Sequence, residues 1–138
     1  MRSAALIPVA CAVFVLAACG GGEVVAPVPN TVEGEIRQAA EGNPARGKTL
    51  YAEQNCGSCH TYEPAGTRAT IGPDLERLPE FAKRANEGTL AEFTRNSIVQ
   101  PSQYIERGYQ NIMPSYADEL TTQEVNDLVA FLTQNKGG

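Results

Sequence analysis

At 138 residues the chain has room for one domain rather than two. Its formal charge of −5 argues against nucleic acid as a partner and suits a protein partner with a basic docking face.

Met1 to Ala18 is laid out as an export signal: one positive charge at Arg2, an apolar run from Leu6 to Leu16, then small residues. The run is short for a membrane span. Its end, Leu16-Ala17-Ala18-Cys19, resembles the lipobox of bacterial lipoproteins, where the cysteine becomes an acylated first residue; Cys11, with Pro8 three positions ahead, fits less well. The alternative is an ordinary signal cut that leaves Cys19 as a free thiol. Cleavage removes Arg2 and no acidic group, so the mature chain moves from −5 to −6. A lipid on Cys19 would anchor the protein in the cell envelope, at the outer face of the cytoplasmic membrane, facing the periplasm or exterior.

Residues 19–42, with Gly20-Gly21-Gly22, Pro27 and Pro29, show no helical or strand periodicity and read as a linker. A flexible linker of about 24 residues has an r.m.s. span of about 25–30 Å, enough for a domain to move above its anchor.

The rest reads as all-α. Asn43-Pro44 opens a first helix with Gly47, Leu50, Tyr51 and Gln54 on one face. Pro79 opens a second, with Phe81, Ala82 and Ala85 inward, ending between Asn86 and Gly88. Thr89 with Glu92 forms a capping box leading into Leu90, Phe93 and Ile98, and Pro101 stops that helix. Thr121 with Glu124 forms another, with Leu120 and Val125 as its hydrophobic staple and Val125, Leu128, Val129 and Leu132 as the apolar stripe, Phe131 beside it. The helices are short, and long irregular segments (Thr61 to Leu78, Gln100 to Leu120) join them. So small a domain is marginal on apolar burial alone, and a large apolar cofactor would complete its core.

Cys56-Gly57-Ser58-Cys59-His60 names such a cofactor, because it is the pentapeptide of covalent c-type haem attachment. Two cysteines three positions apart can form thioethers along one edge of a porphyrin, and His60 is then delivered to the iron. Gly57 and Ser58, being small, would let the backbone lie close to the macrocycle. A zinc site would need about four ligands, a thioredoxin-like pair a βαβ context, and a simple disulfide gives His60 no role. With one histidine in the chain, the sixth ligand is Met, Lys, water or nothing. Met1 leaves with the signal, so Met113, in Asn111-Ile112-Met113-Pro114-Ser115-Tyr116, is the remaining thioether. Lys48, Lys83 and Lys136 are its competitors at high pH.

From Asn43 to Asn135 the chain resembles the single-haem cytochromes c of class I, which makes 43–138 the cytochrome domain. The resemblance implies about four short helices wrapped around one covalent haem c held through Cys56 and Cys59, with the first and last helices crossing at a glycine and an aromatic, here Gly47, Tyr51 and Phe131. Gly72-Pro73-Asp74-Leu75 looks like the family's Gly-Pro-x-Leu turn, so Pro73 would accept the free N–H of His60 and Leu75 would pack on the ring. The segment from Ser97 to Tyr116 is similar to cytochrome domains of respiratory complexes, and a lipoprotein subunit of the quinol-oxidising alternative complex III would suit it.

The function implied is single-electron transfer with His60 and Met113 on the iron, redox proteins or respiratory-complex subunits as partners, and no small-molecule substrate or bond-making catalysis. Leu75, Ile112 and Tyr116 would keep water from the iron. The rival is a haem enzyme or gas sensor with an open sixth position; it lacks a second histidine and a distal acid–base pair. A third reading is an assembly subunit whose haem is incidental.

Overall fold

A computed structural model gives the fold, and it describes residues 41–134 and 136. The export signal, the proposed lipid site Cys19 and the linker as far as residue 40 lie outside the described residues. Asn43 accepts the N–H groups of Ala45 and Arg46 through its side chain, and Pro44 takes a position where its missing N–H costs nothing, so α1 runs Pro44–Glu53. Asn55, at a φ of +55° that Asn tolerates, turns the chain into a 3-10 turn at Cys56–Ser58. β1 (Thr61–Tyr62) and β2 (Thr67–Arg68) then pair antiparallel, Tyr62 opposite Thr67. No strand is legible there in the sequence, since two residues cannot show an alternation.

A 3-10 turn at Leu75–Arg77 leads into α2, Leu78–Ala85, which starts one residue before Pro79 and buries Leu78, Phe81 and Ala82; Ala85 is half-buried. Left-handed Asn86 ends it. α3 (Leu90–Val99) and α4 (Thr122–Thr133) each begin with a complete capping box, Thr89 with Glu92 and Thr121 with Glu124.

Two rows of α4 side chains face in different directions. Asp127 and Phe131, four apart, meet α1, while Leu128 and Leu132, also four apart, face the central cavity. Gly47 makes the α1–α4 approach possible: a Cβ there would lie 1.9 Å from the Asp127 backbone oxygen. Asp127 is fully buried at this crossing. One carboxylate oxygen accepts the Asn43 N–H (2.7 Å) and the Gln123 side-chain amide (3.0 Å); the other has no hydrogen bond and relies on Arg46 Nε at 3.2 Å. The apolar stripe read from the sequence is interrupted here by an anion that ties the start of α1 to α4.

Tyr51, Tyr62 and Phe131 pack in tilted and edge-to-face pairs beside the crossing, their centroids 5.1–5.9 Å apart. The Tyr62 hydroxyl donates to the Phe131 carbonyl at 2.8 Å, one of the last four carbonyls of α4 that lack a helical partner. Burial pushes that hydroxyl up to about 12, so it remains a donor at any physiological pH. Tyr62→Phe is expected to cost about 1–3 kcal/mol by leaving a buried carbonyl unsatisfied, read as a lower urea midpoint with unchanged slope.

Candidate haem site

α2, α3, α4, the turn at 72–75 and the irregular 100–120 segment surround one cavity with about 970 Å³ of empty space, its open mouth included. Its walls are mainly apolar, with Leu78, Phe81, Phe93, Ile98, Leu128 and Leu132 among them. That is the scale and character of a site for a large apolar group. Cys56, His60, Pro73, Leu75, Met113 and Tyr116 all line it.

His60 follows the 3-10 turn of the attachment motif and is 9 % exposed. Its Nδ1 lies 2.7 Å from the Pro73 carbonyl. A carbonyl only accepts, so Nδ1 carries the proton and Nε2 keeps its lone pair. Burial pulls the imidazole below its ordinary range, against the opposing pull of the Pro73 bond, and the ring is neutral at neutral pH. Gly72 completes the cradle, because a Cβ on it would stand 2.6–3.0 Å from three atoms of the His60 ring. Only a residue without a side chain lets the ring lie there, and the Gly72 N–H bonds back to the Cys59 carbonyl at 2.7 Å.

Cys56 and Cys59 are both free thiols, half-buried, and no disulfide joins them. Burial pushes the Cys56 thiol up to about 11. Cys59 is not part of the cavity wall itself; its sulfur lies 3.7 Å from the Ser58 hydroxyl. Among the described residues no group of three or more His, Cys, Asp or Glu side chains converges as zinc would require. Two free thiols, a neutral imidazole with its lone pair available and an apolar cavity fit a covalently attached haem.

Met113 sits in the irregular segment, half-buried, with its side chain on the same cavity as His60. Tyr116 stands nearby: its N–H bonds the Ile98 carbonyl at 3.2 Å and its hydroxyl reaches the Gln54 carbonyl at 3.5 Å.

Three expectations from the sequence need correction. Ile112 is 60 % exposed and lies outside the cavity wall, so it does not shield the iron; its neighbour Met113 occupies the inward position. Gly57 and Ser58 do not line the cavity, and the tight fit at Gly57 is against the Thr67 side chain, 2.3 Å from where a Cβ would be. Neither Lys48, Lys83 nor Lys136 lines the cavity, and Lys136 is held by Glu76 at 2.8 Å over the Tyr62 ring.

Glu106, on the cavity wall, reads in the sequence as one acid in an irregular stretch; its ion pair with Arg84, 22 residues away, is what ties it to the site.

None of the curated proteins matches this chain significantly. A family model described as Cytochrome c matches residues 44–136, about two thirds of the chain, and takes in the four helices α1 to α4 of the described residues. With its attachment motif, its cradled histidine and that match, the chain belongs to the cytochrome c family, as a haem-based electron carrier whose cofactor is a haem c held covalently through Cys56 and Cys59.

Proposed function

We propose that this protein is a membrane-tethered one-electron carrier in which His60 and Met113 would hold the iron of the haem. The observation that carries the reading is that the neutral His60 ring and the Met113 thioether border one apolar cavity. The haem, when bound, supplies the one-electron Fe(III)/Fe(II) couple. Pro73 fixes the imidazole and raises its basicity through the 2.7 Å bond. The thioether, a soft ligand, favours Fe(II) and so a high potential. Leu75, Phe81 and Leu128 on the wall would keep water from the haem, and with His60 and Met113 both holding the iron no position would be left for a substrate.

Cys19 carries the lipid in this reading, and the linker lets the domain meet its partner repeatedly without diffusing away. Electrons would pass between a quinol-oxidising complex and an acceptor with a basic face, in a respiratory or photosynthetic chain, at the outer face of the cytoplasmic membrane. Among the described residues no helix is long and apolar enough to cross a membrane.

One preparation tests both halves. Washed membranes holding the full chain are expected to give a reversible one-electron titration, and Cys19→Ser is expected to release the protein into the soluble fraction with the same curve. Retention of Cys19→Ser on membranes would put a tightly held partner in place of the lipid, and an irreversible titration with rapid consumption of peroxide would replace the carrier by an enzyme.

A further inference from the structure

Met113 belongs to a segment, Gln100 to Leu120, with no regular structure, and its position depends on what holds that segment at each end. At the C-terminal end, the Ser115 hydroxyl donates to the Val99 carbonyl (2.7 Å) and the Tyr116 N–H to the Ile98 carbonyl (3.2 Å), both at the end of α3. At the other end stands Glu106. Its side chain is 10 % exposed on the cavity wall; one oxygen meets Arg84 of α2 at 3.0 Å and the other accepts the Tyr104 hydroxyl at 2.9 Å. Between these anchors the hydrogen bonds are local, Tyr109 N–H to the Glu106 carbonyl and Ile112 N–H to the Gln110 carbonyl.

Arg84 is itself held. Its guanidinium lies 5.0 Å from the centroid of Phe81, a wall residue, and 3.8 Å from Glu80, which also binds Arg77 at 2.7 Å. Tyr104 packs edge-on against Phe93, also in the wall, at 5.4 Å. A carboxylate this enclosed, paired and hydrogen-bonded, resists separation far more than an exposed ion pair.

We infer that Glu106 and Arg84 form a clamp that fastens the 100–120 segment to α2 and thereby positions Met113. The clamp deepens the reading of Met113 as an axial ligand and rests on it. Glu106 and Arg84 are positioning residues: they hold the thioether in place without touching the iron. Loosening the clamp raises the fraction of molecules in which Met113 has swung away.

Free imidazole measures that fraction in the ferric holoprotein, since it can bind the iron only when Met113 has left, and its apparent affinity scales with the open population. Arg84→Gln and Glu106→Gln are each expected to raise that affinity about tenfold or more. The double variant is expected to bind no tighter than the more affected single one, because both remove the same interaction. Wild-type affinity in both single variants, or effects that simply add, would overturn the clamp. Should Glu106→Gln fail to fold, Arg84→Gln, whose side chain is 42 % exposed, carries the test alone.

A wild-type ferric spectrum lacking a sulfur-to-iron charge-transfer band would refute Met113 ligation itself. The clamp is then judged by amide hydrogen exchange across residues 107–114 in the same holoproteins: faster exchange in both single variants supports it, and unchanged exchange overturns it.

Discussion

The Met113→Ala holoprotein is expected to lose its sulfur-to-iron charge-transfer band and to fall in potential by about 0.1–0.3 V, part of the roughly 0.8 V range that axial ligands command. Beyond His60, Met113 is the side chain on the cavity wall with a soft donor not reserved for haem attachment, and no lysine reaches the wall to replace it. Removing the thioether leaves alanine, which cannot ligate, so the ferric protein should turn high-spin and take up azide or cyanide readily. A potentiometric titration and a ferric spectrum check both parts. A variant that keeps the band and the potential would show that another group holds the sixth position.

Gly47→Ala is expected to be among the most destabilising single changes in the domain. In an exposed helix the same change would stabilise by up to about 1 kcal/mol. Here the added methyl would stand 1.9 Å from the Asp127 backbone oxygen, 2.5 Å from its carbon and 2.8 Å from Phe131 Cβ. Backbone cannot rotate aside as a side chain does, so α1 and α4 must part. Parting them loosens the Tyr51–Phe131 stack and the Asn43 to Asp127 hydrogen bond together, and leaves the Asp127 carboxylate buried with fewer partners. The cost is expected at or above the roughly 3 kcal/mol upper end of ordinary overpacking. Urea unfolding of the holoprotein reads it as a large drop in midpoint. An unchanged or higher midpoint would mean that the two helices do not approach as described.

The helix starts were legible because capping is local chemistry. Asn43-Pro44, Thr89 with Glu92 and Thr121 with Glu124 each satisfy their own N–H groups within four residues, and each stands where it was read. The attachment motif was legible for the same reason, since its cysteines and histidine are adjacent. Pro73 as partner of His60 came from family resemblance alone, because nothing in a Gly-Pro turn announces which ring lies thirteen residues back.

What remained hidden depends on contacts between distant segments. Asp127 sits inside an apolar stripe, and its partner Asn43 is 84 residues away. In sequence Gly57 suggests room for the haem, whereas the group that requires a glycine there is the Thr67 side chain, ten residues on. Ile112 and Met113 are neighbours of similar hydrophobicity, and only the path of an irregular segment decides which one faces the cavity. The hairpin at 61–68 was invisible because its two-residue strands span a single period of the strand pattern, too little to show a repeat.

Iron-edge X-ray absorption of the frozen holoprotein addresses the ligands directly, since the thioether sulfurs of Cys56 and Cys59 are bonded to carbon and stay outside the iron's first shell. The account predicts a first shell of macrocycle and imidazole nitrogen with a single sulfur, unchanged between the oxidised and reduced forms. A first shell of nitrogen and oxygen alone in the ferric protein would contradict it.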